Sequence, residues 1–152
     1  MNKTTHILGG VVATTLIFKA ATTPETIIFG AIGGLLPDID HENSTLGKLN
    51  PLSSKMEHRG FCHSLVFVAI IGALCKFVLK IPIMNIESLQ IGMLSHLLLD
   101  MLNIQGIQLL WPIKKEFSLP LHGIKTGGMG EMVIRLALLY ICVMSLITMN
   151  LI

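Results

Sequence analysis

A chain of 152 residues with 52% hydrophobic residues, only 13% charged residues and a formal net charge of +2 has the length of one domain and the composition of a membrane protein. The small net charge, with no basic run interleaved with aromatics, argues against nucleic acid as a partner. Cys62, Cys75 and Cys142 form no CxxC pair and all lie in apolar stretches, which excludes a disulfide framework.

The apolar residues fall into five blocks, 7–18, 27–36, 61–79, 86–102 and 132–152, and predict five helices. Lys3 ahead of the first block gives it a superficial likeness to a secretory signal. Lys19 and the following Thr-Thr-Pro-Glu supply no cleavage site, so it is read as retained. The first two blocks are short and are joined by "KAATTPE", in which Thr23-Pro24-Glu25 marks a helix start. They form a hairpin that crosses a thinned bilayer or only dips into it. A hydrocarbon core about 30 Å thick asks ~20 residues of a helix; the third and fifth blocks reach this, the fourth falls slightly short, and all three are read as spans. The expected fold is therefore all-α: a single domain over 1–152, an integral membrane bundle of about five helices whose first two are short. The competing reading is a soluble all-α domain with a large core.

Following the chain through alternating helices places the polar residues at one end. His6 enters the first helix, Asp38 leaves the second, and His63 enters the third. His96 and Asp100 close the fourth, and Glu131 opens the fifth. The connections at this end are long, about 37–60 and 103–130, whereas those opposite, "KAATTPE" and "KIPIMNIE", carry no histidine or aspartate. Lys3, Lys48, Lys55, Arg59, Lys114, Lys115, Lys125 and Arg135 fall on the polar side against Lys19, Lys76 and Lys80 on the other, which turns that side to the cytoplasm.

Imidazole nitrogen and carboxylate oxygen are the donors that zinc and similar divalent ions take, and ionisable groups at membrane depth are costly unless paired, bound or functional. His6, Asp38, His58, His63, His96, Asp100 and Glu131 are the candidate ligands for one or two divalent ions, zinc first and manganese second. His96 and Asp100 stand at i and i+4, one face of a helix, a spacing equally suited to a simple hydrogen-bonded pair. Asp38 and Asp40 follow Pro37 and are also natural turn formers. Asp40 is expected as general base or as an orienting group, and Arg59 as a clamp for an anion, unless it only pairs with Glu57 or Asp40. Glu131 gains from the helix dipole whether or not it binds metal. His41 and His122 are loop histidines or outer groups. "TGGMGE" is not a phosphate-binding P-loop, and Trp111 with Lys114 and Lys115 reads as an interfacial anchor.

At His6, "LLPDIDH" (35–41), "HRGFCHS" (58–64), "SHLLLD" (95–100), Gly106, "WP" (111–112) and "TGGMGE" (126–131), the sequence resembles the YdjM-like family of inner-membrane-associated, metal-dependent hydrolases, whose family name also describes them as LexA-binding. It is more distantly similar to the zinc-dependent phospholipase C and S1/P1 nuclease group, without that group's N-terminal tryptophan ligand and late HxxxE. The resemblance implies a helical hydrolase in the inner membrane. The expected activity is metal-dependent hydrolysis of a phosphoester in a lipid or lipid-linked substrate, with membrane lipids as surroundings. A protein partner is implied by the family name alone. The alternatives are a metal or proton transporter and a non-catalytic membrane scaffold.

Overall fold

The computed structural model describes residues 1–119 and 124–149. Among the described residues there are five α-helices: α1 (Lys3–Phe18), α2 (Pro24–Gly33), α3 (Leu65–Phe77), α4 (Ile83–Met101) and α5 (Met129–Thr148). Short 3-10 turns occupy Leu36–Asp40, Gly47–Leu49, Ser53–Lys55 and Phe61–His63 between α2 and α3. Among the described residues there is no strand, only isolated bridges such as Ile107 with Phe117. The all-α expectation holds.

Local chemistry sets the helix boundaries. Thr23 caps α2 with Pro24 behind it: the Thr23 hydroxyl accepts from Thr26 N at 3.3 Å and the Thr26 hydroxyl accepts from Thr23 N at 2.9 Å. Ser64 caps α3 by accepting from Phe67 N at 3.2 Å. That cap corrects the expected third span. The apolar block starts at 61, but Phe61–His63 turn as a 3-10 segment and the helix begins only at Leu65. Its 13 residues rise roughly 20 Å, short of a bilayer core. Conversely, α1 and the turn that extends it run Lys3–Ala21, longer than the apolar block suggested. This segment and α5 are the two described helical stretches long and apolar enough to cross a membrane. The chain from 83 to 101 has the length but carries Asn85, Glu87, Ser88, Gln90, Ser95, His96 and Asp100.

Those polar residues make sense because α4 is central. It packs against α1, α2 and α3, while α5 packs on α1. Met93, Leu97, Cys62, Phe67, Val68 and Ile107 form the main core beneath the polar cluster. The three cysteines are buried and unpaired, as packing residues. The contacts of α1, α2 and α4 are backbone to backbone. A Cβ on Gly10 or on Gly92 would collide with the Gly30 carbonyl oxygen, and one on Gly33 with that of Leu89. Small residues are what let helices approach this closely, and this approach brings the end of α1, the exit of α2 and the end of α4 to one place.

Gly92→Val should therefore destabilise the fold by about 1–3 kcal/mol or more, the usual range for overpacking. Thermal unfolding in detergent checks it, with Gly130→Ala, where a Cβ would meet nothing closer than 3.4 Å, as the control expected to unfold like wild type.

Candidate metal centre

Five side chains from four segments converge at this place: His6 from the first turn of α1, Asp38 from the turn after α2, His63 from the turn before α3, and His96 and Asp100 from the last turns of α4. His6, His63 and His96 have no exposed surface, Asp100 has 1%, and Asp38 is partly exposed. His63 Nε2 and His96 Nε2 face each other at 3.2 Å. Asp38 Oδ1 lies 3.6 Å from both nitrogens. Asp100 Oδ2 lies 3.6 Å from His63 Nε2 and 3.7 Å from His96 Nε2.

The other ring nitrogens fix the tautomers. His96 Nδ1 is 2.8 Å from the Gly34 carbonyl oxygen, which can only accept, so Nδ1 carries the proton and Nε2 turns a lone pair inward. His63 Nδ1 likewise faces a carboxylate oxygen, Asp40 Oδ2, at 3.2 Å. Two imidazoles so held cannot meet at 3.2 Å as bare lone pairs. A cation, proton or metal, has to lie between them. Burial opposes a charge on His63, but the Asp38 and Asp40 carboxylates outweigh it and raise its pKa to about 9. Burial likewise works against the ionised form of Asp38, yet the surrounding imidazoles, His63 first, hold its carboxyl below the ordinary range.

The donor set fits a divalent ion. Ligand atoms bound at ~2.0–2.2 Å in tetrahedral directions lie roughly 3.3–3.6 Å apart, and the separations here run from 3.2 to 3.7 Å. His6 adds an independent sign. Its ring stacks on His96 with centroids 3.7 Å apart, and its Nε2 lies 3.3 Å from Asp100 Oδ1, but neither of its nitrogens has a hydrogen-bond partner. A wholly buried imidazole with both nitrogens unsatisfied is costly unless something else binds it. Asp100 is met from two sides: Oδ1 takes the Met1 amino group at 2.8 Å, and Arg59 Nη2 stands 3.7 Å from Oδ2.

Ligand atoms group in three overlapping sets, each within 4.8 Å: Asp38, Asp40, His58 and His63; His6, Asp38 and His96; and His63, His96 and Asp100. Within the first set the roles divide. Asp40 accepts from His58 Nδ1 at 2.9 Å, from Arg59 N at 3.2 Å and from His63 Nδ1, so its oxygens are occupied in orienting two histidines. Burial disfavours its charge, but His58 and His63 outweigh this and keep its pKa low. His58 is tethered to Asp40 with a side chain 35% exposed. It sits on the solvent edge of the cluster, outside the ring of inward-facing nitrogens expected to include it. Arg59 does not extend as a free clamp. Nη1 donates to the Gly106 carbonyl at 3.3 Å and Nη2 faces Asp100, which leaves the side chain balancing charge behind the cluster.

Glu131 is placed elsewhere than expected. Its carboxylate accepts from Asn2 N at 2.5 Å, Thr5 Oγ1 at 2.8 Å and Gly127 N at 2.6 Å, and belongs to none of the three converging sets. With Oε1 accepting from Asn2 N and Thr5 Oγ1 and Oε2 from Gly127 N, it clasps the starts of α1 and α5. Its position at the opening of a helix was readable; the donors from α1, more than a hundred residues away, were not. The carbonyl of Gly34 that sets the His96 tautomer was also missed, since a backbone acceptor leaves no mark in the residue types. His122 lies outside the described residues.

The family described as YdjM inner membrane protein matches residues 1–151. An uncharacterized protein, YvsG of Bacillus subtilis, is 38% identical over 142 residues, covering 88% of this chain and 87% of its own. The inner membrane protein YdjM of Escherichia coli is 41% identical over 115 residues, which are 68% of this chain and 58% of that one. The inner membrane protein YbcI of Escherichia coli is 32% identical over 112 residues, 68% of this chain and 64% of its own. No solved structure matches. The names of the two Escherichia coli relatives give a location and no activity.

Two substitutions separate cluster from clasp. Asp100→Asn should remove the bound ion from purified protein, as read by elemental analysis. Glu131→Gln should keep the ion but lower stability by about 1–3 kcal/mol through a weakened set of buried hydrogen bonds, read as an earlier thermal transition.

Proposed function

Taking as premise that the chain belongs to the YdjM inner membrane protein family, we propose that it is a multi-pass inner-membrane hydrolase. It holds one or two divalent ions, zinc first, and cleaves a phosphoester of a lipid or lipid-linked substrate at the cytoplasmic face. The observation that carries this reading is the inward-facing pair His63 Nε2 and His96 Nε2 at 3.2 Å, flanked by Asp38 and Asp100, in a pocket walled by apolar helices.

The membrane part rests on more than relatives. Leu136, Leu139, Tyr140, Val143 and Ile147 along α5 are exposed, as are Leu65, Ile70, Leu74 and Phe77 on α3. Apolar faces this long are what lipid covers. The shortness of α2 and α3 is met by local thinning of the bilayer or by contact with the longer helices. The excess of lysine and arginine on the site side favours the cytoplasm.

His6, Asp38, His63, His96 and Asp100 would hold the ions, with Asp40 and the Gly34 carbonyl keeping the imidazoles oriented as outer partners do. Once bound, a divalent ion supplies Lewis acidity toward a phosphoryl oxygen and lowers the pKa of water to near neutrality. Asp40 has its oxygens engaged, so the general-base task passes to His58. Asp40 fixes its Nδ1, while its Nε2 makes no hydrogen bond among the described residues and its side chain is 35% exposed. His58 would accept a proton from water during attack on phosphorus and return it to the leaving alkoxide oxygen. Arg59, 12% exposed beside Asp100, offsets the two carboxylates of the cluster. A transporter needs titratable groups continuing to the far face. Beyond the cluster α1 instead offers the buried hydroxyls of Thr14 and Thr15, and the titratable group on the far half of α4, Glu87, is exposed and turned away from the bundle interior, which supports the enzyme over a conduit.

His58→Asn should retain the ion and lose about 100-fold or more in kcat, in line with removal of a general base. Detergent-purified protein assayed on phosphorylated lipids, with and without chelator, makes the measurement. Turnover that survives both chelation and Asp100→Asn would remove the hydrolase reading.

A further inference from the structure

The three imidazole ligands and Asp100 are sealed from solvent, and Asp38 alone among the five has a substantially accessible carboxylate, 17% exposed. A ligand that reaches the cluster therefore has to pass Asp38. Asp38 opens on a recess of about 340 Å³ lined also by Asn2, Lys3, His41, Ser44 and Lys48, within the size range of small-ligand clefts, about 300–1,000 Å³. We infer that this recess binds the phosphate group of the substrate, with Lys3 and Lys48 as its charged contacts. The inference rests on the hydrolase reading for its place in a reaction, though the binding itself does not require turnover.

Charge and framework both support it. Asp38 is the one acidic residue on the wall, and its charge faces the imidazole cluster. The remaining lining side chains are cationic, amide, hydroxyl or imidazole, the groups that donate to phosphate oxygens. Lys3 stands at the start of α1, whose own first turn holds no acidic residue, the Glu131 carboxylate there being taken up by Asn2 N and Thr5 Oγ1. Lys48 comes from the Gly47–Leu49 turn. Ser44 holds that loop, since its hydroxyl donates to the Asp38 carbonyl at 2.5 Å and accepts from Gly47 N at 2.8 Å. The lysine is thus tied through its loop to the backbone of a metal-cluster residue. The same loop carries Leu49, 80% exposed, and Leu52, 58% exposed. Exposed leucines beside a cationic recess suit a phosphate that arrives on a lipid.

The test is calorimetric binding of inorganic phosphate and of short-chain phosphatidic acid to the full chain in detergent, before and after chelation. Both probes should bind, and Lys3→Gln with Lys48→Gln should weaken binding tenfold or more with the metal content unchanged. Lys55→Gln, on the same loop but off the recess wall, should bind like wild type. Unchanged binding in the double variant, or an equal loss in Lys55→Gln, would overturn the assignment. A tighter affinity for phosphatidic acid that disappears in Leu49→Ser with Leu52→Ser identifies the lipid as source of the phosphate. Equal affinities identify a soluble phosphate compound at the same recess. Lysine-dependent binding that persists in a protein without metal or turnover would sink the hydrolase reading and leave the recess standing.

Discussion

The inward meeting of His63 and His96 is the constraint on which the rest of the structure turns. Each imidazole is held by an acceptor on its outer nitrogen, the Gly34 carbonyl for His96 and Asp40 for His63. Each is thereby compelled to present a lone pair inward. Nothing in an apolar helix bundle compensates such an arrangement except positive charge, and two carboxylates placed against the same nitrogens raise the demand further. A protonated His63 or a divalent ion in the cluster supplies that charge. His6, buried with neither nitrogen hydrogen-bonded but with Nε2 3.3 Å from Asp100 Oδ1, fits the same requirement.

Holding five such groups together in a chain of this size requires helices whose axes nearly touch. Gly10, Gly30, Gly33 and Gly92 provide that approach, and their position one to three turns beyond the cluster fixes the angle at which α1, α2 and α4 deliver it. Glu131 then ties α5 to the start of α1, using a carboxylate where an apolar contact would not discriminate between registers. The polar and the small residues are in this sense one design: glycines set the distance between helices, and hydrogen bonds to carboxylates set which ends come together.

The sequence made the helices and their one-sided polar ends legible because both are written locally, in apolar blocks, in Thr23-Pro24, and in the i,i+4 spacing of His96 and Asp100. Alternation of direction through the helices then placed His6, Asp38, His63 and Asp100 at one level without any contact information. Helix length was less legible. Residues 61–64 are apolar enough to extend α3, yet Ser64 caps it at Leu65 because Cys62 and His63 turn into the core. Division of labour among polar residues was the least legible. Glu131, His58 and Arg59 have the composition of a metal site, but their partners, Asn2 and Thr5, Asp40, and Gly106, are set by packing between segments distant in the chain.

Depth decides between the chemistries that such a cluster permits. His6 lies near the start of α1 and Asp100 at the last turn of α4, while Asp38 and His63 stand just outside helices altogether. The cluster therefore lies within roughly 8 Å of the helix ends, His96 being deepest, given a rise of about 1.5 Å per residue. In the membrane placement proposed above, that is headgroup depth and not the bilayer centre, where the cost of charge is greatest. A site there meets water on one side and lipid phosphates on the other. A transport path needs polar groups carried through the hydrocarbon, whereas hydrolysis at a surface needs only water, a phosphate within reach and an opening. Asp38, the one substantially exposed member of the five, marks that opening.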